Sequence, residues 1–375
     1  MYVFDRYVLK SLGVATLLIA VTLTAIVFLT QSLQFLELVI ESGASSGAFW
    51  LLTFLALPRF LEIILPVALL ASIIFTYNRM IFDSELVAIK SAGYSPLSLA
   101  RPAIFLAVVL TVFLWAVTMW ISPKSLSEMQ HMRQIIKTQF SALLFREGVF
   151  NQAGKGLTVY IRDHTPEGEL RGLMIHDSRD DSVRPSIILA KRGVIVSREE
   201  GEQVVVFDGS RQEYDRDKGA ASRLNFERYT IDLPDGGAAK KRWREPEERT
   251  IFELLNPDAD VRANKKERYA FMVEIHRRIT APLIAIGYAL FACAALLVGP
   301  IDRRGQGRKI TIAIGGAVLL QALFLVAFSF ARKAAFGVPF MYVLVIVPAL
   351  LSFFFLSGYG EGMRRKILYG SGRGR

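Results

Sequence analysis

The side chains that most often carry out catalysis or bind metals show no functional spacing in this sequence. The four histidines are His131, His164, His176 and His276. They are scattered and form no H-E-x-x-H or comparable metal-binding pattern. The sequence also contains no G-x-x-x-x-G-K-[ST] loop, so it has no motif of its own for binding ATP phosphates. We therefore expect no catalytic residue, no metal site and no cofactor in this chain.

The remaining reactive groups have simpler interpretations. His176 beside Asp177 is typical of a strand end, and Asp180 beside Asp181 is typical of a solvated loop. Cys293 is the only cysteine, so a disulfide within the chain is excluded. It lies in the middle of an apolar run.

A short polar segment, residues 83–93, has the pattern of a helix with defined ends. Asp83 or Ser84 can cap its start, and Glu85 suits its first turn. Lys90 suits the last turn, and Gly93 suits the position at which the helix stops. The pattern predicts a short helix at about 84–92.

This helix would be amphipathic but too short to be stable by itself. Leu86 and Ile89 would form its apolar stripe. An isolated helix of about two turns is marginal in water. The helix must therefore pack against neighbouring helices or a partner protein, and a simple connector is the alternative interpretation.

The helix lies among apolar runs that are long enough to cross a membrane. The chain has 375 residues, of which 52% are hydrophobic, too many for an ordinary soluble protein. Six runs without a charge are Ser11–Leu36, Ile63–Asn78, Pro102–Pro123, Ile279–Ile301, Ile310–Ala331 and Ala334–Gly360. Spanning takes roughly 20 residues, so the second run needs to continue to Phe82 or to include Phe49–Pro58. The sequence predicts an α-helical membrane protein with six transmembrane helices.

Basic residues in the short connections indicate which ends of these helices face the cytoplasm, because Lys and Arg are retained on that side. The inner pieces would contain Arg6, Lys10, Arg79, Lys90, Arg101, Arg303, Arg304, Arg308, Lys309, Arg364, Arg365, Lys366, Arg373 and Arg375. The short outer loops would contain Arg332 and Lys333 alone. We therefore expect both termini in the cytoplasm. This orientation and the attraction of anionic lipid explain most of the net charge of +11, so we do not expect nucleic-acid binding.

The long outer insert has a different sequence period, with short segments of two-residue alternation. Its strand candidates are Leu157, Val159 and Ile161; Leu173 and Ile175; Ile187 and Leu189; Val194 and Val196; Val204 and Val206; and Leu224, Phe226, Tyr229, Ile231 and Leu233. Turn signals between them are Pro166 with Gly168, Arg184-Pro185, Gly193, Gly201 and Asp208-Gly209. The pattern predicts an all-β domain of the sandwich or jelly-roll type, with helical flanks at 125–137 and 265–278.

The sequence thus predicts three parts. Residues 1–123 hold transmembrane helices one to three and the short cytoplasmic helix. Residues 124–277 hold the outer β domain with its helical flanks. Residues 278–375 hold helices four to six and a basic cytoplasmic tail.

Several blocks of this sequence resemble the lipopolysaccharide export permeases of the LptF/LptG family, also called the YjgP/YjgQ type. The blocks are Asp83 to Gly93, Ile64-Leu65-Pro66, Arg184 to Ala190 with Gly193, and Glu274 to Ile279. The order of three helices, a β domain and three helices is also that of the family. Arg6-Tyr7 and the block Gly299 to Arg308 resemble the F-type subunit more than the G-type.

The resemblance implies one permease subunit of an ATP-driven transporter. A sister permease of the LptG type would complete the membrane part, and a separate cytoplasmic ABC ATPase dimer of the LptB type would hydrolyse ATP beneath the short helix. Lipopolysaccharide would leave the inner membrane through a cavity between the permeases. It would then pass through the periplasmic β domain to LptC and LptA, toward the outer membrane. Glu85 would contact the ATPase, and Leu86 and Ile89 would fill its groove.

The resemblance also suggests where lipid would bind. Related permeases carry basic residues near the outer end of helix one, whereas this chain has Gln31, Ser32, Gln34 and Phe35 there. Arg59 is the nearest basic residue and a further candidate for the lipid cavity. The alternative for Arg59 is an ion pair with Glu62 within one helix.

Two other functions fit the same layout. One is an ABC permease for another lipid or a lipoprotein, which the bound lipid would distinguish. The other is a membrane scaffold or receptor that transports nothing, in which Glu85→Ala would leave function intact.

Overall fold

The computed structural model describes residues 3–42, 45–143, 147–154, 156–165, 169–178, 185–198, 201–215, 220–237, 243–258, 261, 264–299, 306–334 and 336–357. The chain divides into two compact units. The helical unit consists of Met1–Phe35, Trp50–Met129 and Arg244–Arg375. The sheet unit consists of Leu36–Phe49 and Gln130–Trp243.

Ten α-helices lie in the described residues. They are α1 (Val3–Ser42), α2 (Ser46–Phe82), α3 (Glu85–Ser91), α4 (Pro96–Ala116), α5 (Ser122–Leu143), α6 (Ile251–Leu255), α7 (Lys265–Thr280), α8 (Ile284–Leu297), α9 (Gln306–Ala331) and α10 (Gly337–Leu356). A π-helical turn, Val117–Ile121, joins α4 to α5, and a 3-10 turn, Ala281–Leu283, joins α7 to α8.

Six of these helical stretches are long and apolar enough to cross a membrane. They are Val3–Ile40, Ser46–Phe82, Pro96–Ile136, Lys265–Leu297, Gln306–Ala331 and Gly337–Leu356. The six-helix prediction is therefore confirmed within the part of the chain that the structure describes. The second stretch includes both of the extensions that the sequence offered as alternatives, Phe49–Pro58 and the continuation to Phe82. Pro58 and Pro66 lie inside it, and neighbouring helices make proline tolerable in a membrane helix.

The core of the helical unit lies where α4 packs against α8. Ala103 and Ala107 of α4 and Ala289 and Cys293 of α8 are fully buried in one apolar cluster. Small side chains let helix backbones approach closely, which drives helix packing where the surrounding lipid is as apolar as leucine. The second and fourth spans are the most buried, since 56% and 67% of the residues in an 18-residue apolar stretch of each are buried. The corresponding share is 17% in the first span and 28% in the fifth. The third span, also 28% buried, and the sixth, 22% buried, resemble these two, so α1, α9 and α10 all leave most of their apolar surface uncovered.

The sheet unit contains six antiparallel strands in meander order. They are β1 (Phe150–Gly154), β2 (Leu157–His164), β3 (Leu170–Asp177), β4 (Ser186–Arg198), β5 (Gly201–Asp215) and β6 (Ala220–Gly237). Residues of alternate positions form an apolar core on one face, including Val159, Ile161, Ile175, Val204 and Val206. The edge strands β1 and β6 also approach each other, so the sheet curves over this face. The predicted all-β insert is confirmed.

Several details inside the sheet differ from the sequence prediction. Gly193 marks no turn, since it lies buried within β4 with a Leu173 methyl 3.2 Å from where a Cβ would stand. The two predicted strands on either side of it are one strand. Within β4, Ile188 and Ala190 are buried while Leu189 is 40% exposed, so the predicted pair Ile187 and Leu189 lies on the other face.

The predicted turn at Asp208-Gly209 is also wrong. Both residues lie inside β5, where Asp208 adopts a left-handed backbone with φ of 53°. A Cβ on Gly209 would collide with the Leu189 carbonyl oxygen and with the Phe226 ring, so the glycine permits the close approach of the neighbouring strands. The signals at Pro166, Gly168 and Arg184 lie outside the described residues. Pro185 and Gly201 lie directly before β4 and at the start of β5.

Candidate functional site

The short helix α3 is fixed to the helical unit by its apolar side. The side chain of Leu86 is fully buried and belongs to the main core cluster, and Ile89 packs against the same cluster. This burial explains how a helix of seven residues is stable, since isolated short helices are not. In this chain Leu86 and much of Ile89 contact the core of the helical unit itself, and Leu86 presents no surface to a partner.

The ends of α3 are set by two residues with left-handed backbones. Ser84 has φ of 62° at the N-cap position, where its side chain accepts no capping hydrogen bond from the helix. Gly93 has φ of 91° and its N–H donates to the Lys90 carbonyl at 3.1 Å. The predicted stop at Gly93 is confirmed, whereas the predicted side-chain cap at Ser84 is not found because the residue turns the chain through its backbone.

The side of α3 that faces away from the core carries small side chains of mixed polarity. Val87, Ala88 and Ser91 are exposed, and Glu85 is half-buried in the first turn. Asp83, just before the helix, forms an exposed ion pair with Arg79 at 3.5 Å. The surface available to a partner therefore consists of one carboxylate beside a few small side chains.

Lys90 links α3 to the end of α8. Its ammonium donates to the carbonyl oxygens of Leu297 and Gly299, both at 3.1 Å. The sequence predicted that the Lys90 charge would suit the last turn of its own helix, α3. In the structure the ammonium group instead bonds the end of α8. The last carbonyls of a helix have no partners within it and carry partial negative charge, which suits an ammonium group.

A second site, the charged network, lies at the other end of the same span. Its centre is Arg278, which is 1% exposed. The guanidinium donates to the Glu274 carboxylate at 2.8 Å and to the carbonyls of Arg249, Pro246 and Glu247 at 2.7, 3.0 and 3.1 Å. One buried side chain therefore fastens the segment that follows the sheet unit to α7.

The network extends to α2 and to the end of α9 through five more ionic groups. Arg277 forms two hydrogen bonds of 2.9 Å with Glu274 and one of 2.6 Å with Glu62. Glu247 accepts from Arg59 at 2.9 Å and from Arg332 at 2.7 Å. The predicted ion pair between Arg59 and Glu62 is therefore wrong, because each residue bonds a partner from a distant part of the chain.

Beside this network lies a cavity of about 330 Å³. Tyr269, Phe328, Lys266 and Arg332 contribute to its wall, and the Arg332 guanidinium stacks on the Phe328 ring at 4.5 Å from the ring centre. Tyr269 donates its hydroxyl to the Ala331 carbonyl at 2.6 Å. The wall combines cationic, acidic and aromatic groups close to the ends of α7 and α9.

The remaining lipid-cavity candidates lie on α1. Gln34 is exposed, Gln31 and Ser32 are half-buried, and Phe35 is 1% exposed. The Ser32 hydroxyl donates to the Leu29 carbonyl at 2.8 Å, which satisfies it within the helix. These residues lie on one helix, whereas Arg59 lies on α2 and its guanidinium is already bound to Glu247.

Helix α6 begins at a capping box that contributes a perturbed carboxylate. Burial disfavours the charged form of Glu253, but hydrogen bonds from the Thr250 backbone N–H and hydroxyl and from Arg244 outweigh it and lower the pKa of this carboxyl. The group stays ionised to a lower pH than an ordinary glutamate.

The charged network is the site that sequence reasoning missed. Glu274, Arg277 and Arg278 were visible only as part of a family block, although their spacing of three and four residues beside an apolar run is a signal for shared ion pairs. Their partners Glu62 and Glu247 could not be found, because the pairing depends on how distant helices pack. Among the described residues, no group of three or more His, Cys, Asp or Glu side chains is arranged to hold a metal ion.

Comparison with known proteins gives a consistent result. A family model described as lipopolysaccharide export system permease LptF/LptG matches residues 6–359. An uncharacterized protein of Rickettsia prowazekii, RP871, is 25% identical over 337 residues, which are 89% of this chain and 92% of that protein. The LptF permease of Escherichia coli K12 is 23% identical over 54% of this chain and 56% of its own length. The LptG permease of the same strain is 25% identical over 46% of this chain and 48% of its own length. The matches to these two curated permeases thus span about half of each.

Proposed function

Because the chain belongs to the LptF/LptG family of lipopolysaccharide export permeases, we propose that it is the F-type permease subunit of an ATP-driven transporter that extracts lipopolysaccharide from the inner membrane. The family and the six candidate spans indicate a multi-pass inner-membrane protein. The observation that carries the ATP-driven part is the short helix α3, which is fixed by Leu86 on one side and presents Glu85 on the other.

We place α3 in the cytoplasm, with both termini on the same side and the sheet unit in the periplasm. The basic residues of the short connections support this orientation. A cytoplasmic ABC ATPase dimer of the LptB type would then bind beneath α3. Glu85 and the exposed edge of Ile89 are the proposed contacts, while Leu86 holds the helix in place.

The proposed lipid path starts beside α1 and α9. Their uncovered apolar surfaces suit a cavity that opens sideways to the bilayer, shared with a sister permease of the LptG type. Gln31, Ser32 and Gln34 would line the outer part of this cavity with Arg59 nearby. The apolar concave face of the sheet would shield acyl chains on the way to LptC and LptA.

Glu85→Ala tests the proposal in the complex of both permeases and the ATPase. We expect the complex to assemble and the variant to fold, while ATP-dependent lipopolysaccharide release from proteoliposomes falls at least about tenfold, since loss of a charged hydrogen bond at a buried contact has an effect of this size. Glu128→Ala, which removes an exposed carboxylate on α5, is the matched control and should behave as the unmodified protein. Unchanged release with Glu85→Ala would contradict the coupling role and favour a scaffold.

A further inference from the structure

Two lysines from different elements converge on the end of α8. Lys90 of α3 donates to the carbonyls of Leu297 and Gly299 at 3.1 Å each. Lys309 of α9 donates to the carbonyls of Leu296 and Val298, at 3.3 and 3.4 Å. Four successive carbonyl oxygens are thus shared alternately between two ammonium groups.

The backbone at this point is shaped to present these carbonyls. Helix α8 ends at Leu297, Val298 is extended, and Gly299 has φ of 93°, a conformation that glycine adopts without strain. Carbonyls beyond a helix end lack partners within the helix, and both lysine side chains are partly buried where water competes poorly. Neither lysine is therefore equivalent to an exposed basic residue that only orients the chain in the membrane.

We propose that Lys90 and Lys309 form a polar staple that transmits movement of α3 to α8 and α9. The inference rests on the proposed function, in which an ATPase displaces α3. Leu86 supplies the apolar contact of α3, but an apolar contact has no fixed direction. The two hydrogen bonds of Lys90 fix the direction in which α3 and the end of α8 move together.

The staple would connect α3 to the parts of the protein that matter for lipid. Lys309 lies near the start of α9, a helix whose apolar surface is largely uncovered and which belongs to the proposed lipid path. Helix α8 continues α7, and Arg278 of the charged network lies 19 residues before Leu297, roughly 28 Å away at 1.5 Å per residue. A displacement at α3 would therefore reach both a helix of the lipid path and the network at the opposite end of the same span.

Lys90→Met tests the staple because it keeps much of the side chain's length and removes its donors. We expect the amount of lipopolysaccharide released per ATP hydrolysed by the complex in proteoliposomes to fall about tenfold, as loss of charged hydrogen bonds predicts. Lys90→Arg should restore the ratio, since it keeps the charge and the donors. Arg308→Met, which removes an exposed charge beside Lys309, is the matched control and should change nothing.

A distance measurement tests the same idea without transport. Spin labels at Val87 and Thr311, both exposed, report the separation of α3 and α9 in a variant whose buried Cys293 is replaced by alanine. We expect Lys90→Met and, independently, Lys309→Met to broaden this distance distribution, and Arg308→Met to leave it unchanged.

An unchanged distance distribution in both lysine variants, or an unchanged release ratio in Lys90→Met, would overturn the staple. If Glu85→Ala uncouples transport while Lys90→Met does not, the staple alone is refuted. If neither variant uncouples transport, the proposed function itself fails.

Discussion

Replacement of Arg278 by methionine should destabilise the helical unit more than any loss of an exposed charge. The guanidinium is 1% exposed and makes four hydrogen bonds, one to Glu274 and three to backbone carbonyls. Methionine fills a similar volume but donates nothing. Removing one partner of a buried ion pair costs about 3–5 kcal/mol, and each orphaned carbonyl contributes about 1 kcal/mol to such a cost. Glu274 keeps its bonds to Arg277, so we expect a total of about 3–5 kcal/mol.

This cost can be measured as a change in apparent melting temperature. At about 2 °C per kcal/mol for a unit of this size, Arg278→Met should lower Tm by at least about 6 °C. Scanning fluorimetry of the purified complex in detergent provides the assay. The matched control is Arg268→Met, an exposed arginine on the same helix, for which we expect a change within about 1 °C because surface substitutions are close to neutral. A Tm for Arg278→Met that equals the control would refute the role of Arg278 as the fastener of this segment.

Three further predictions concern other parts of the chain. Gly209→Ala should destabilise the sheet by about 1–3 kcal/mol, because the new methyl group meets the Phe226 ring and a backbone carbonyl; reduced protection of sheet amides from hydrogen exchange measures this, and wild-type protection would contradict it. Leu86→Ala should cost about 2–5 kcal/mol through a core cavity, whereas Val87→Ala on the exposed side of α3 should stay within about 0.5 kcal/mol; equal Tm values for the two variants would show that α3 is not anchored by Leu86. The hydrogen bonds to Glu253 depress its pKa in the folded state. The stability that they contribute to the protein is therefore complete above the unfolded pKa of about 4.3 and is lost as the pH falls through the lower folded value. Tm should drop more between pH 7 and pH 3 in the unmodified protein than in Glu253→Gln, and parallel curves of Tm against pH would contradict this prediction.

The sequence was informative where structure depends on local pattern. The apolar runs predicted six spans, and the period-two alternation predicted the sheet, because burial of one face repeats along each element. The helix α3 could be placed within one residue or two from its first-turn glutamate and its terminal glycine.

Predictions that depended on a single local signal were less successful. Gly193 and Asp208-Gly209 look like turns, yet both lie within strands, because glycine serves equally where a side chain or a neighbouring strand comes too close. Ser84 stands at the cap position without using its hydroxyl as the cap.

The contacts that define the two sites could not be predicted from the sequence, for a different reason. Lys90 bonds carbonyls more than 200 residues away, with sequence separations of 207 and 209, and Arg277 bonds Glu62 across 215 residues. Such pairs arise from the packing of whole helices, and nothing in the local sequence distinguishes Glu62 as a partner for Arg277 from Glu62 as a partner for Arg59.

The most direct test of the central claim is to purify the tagged chain from its native membranes in mild detergent and to identify the proteins and lipids that accompany it by mass spectrometry. We predict recovery of an ABC ATPase, a second six-helix permease and bound lipopolysaccharide. Recovery of an intact assembly that contains this chain without an ATPase, and with ordinary phospholipid in place of lipopolysaccharide, would contradict the proposal that the chain is a subunit of an ATP-driven lipopolysaccharide exporter.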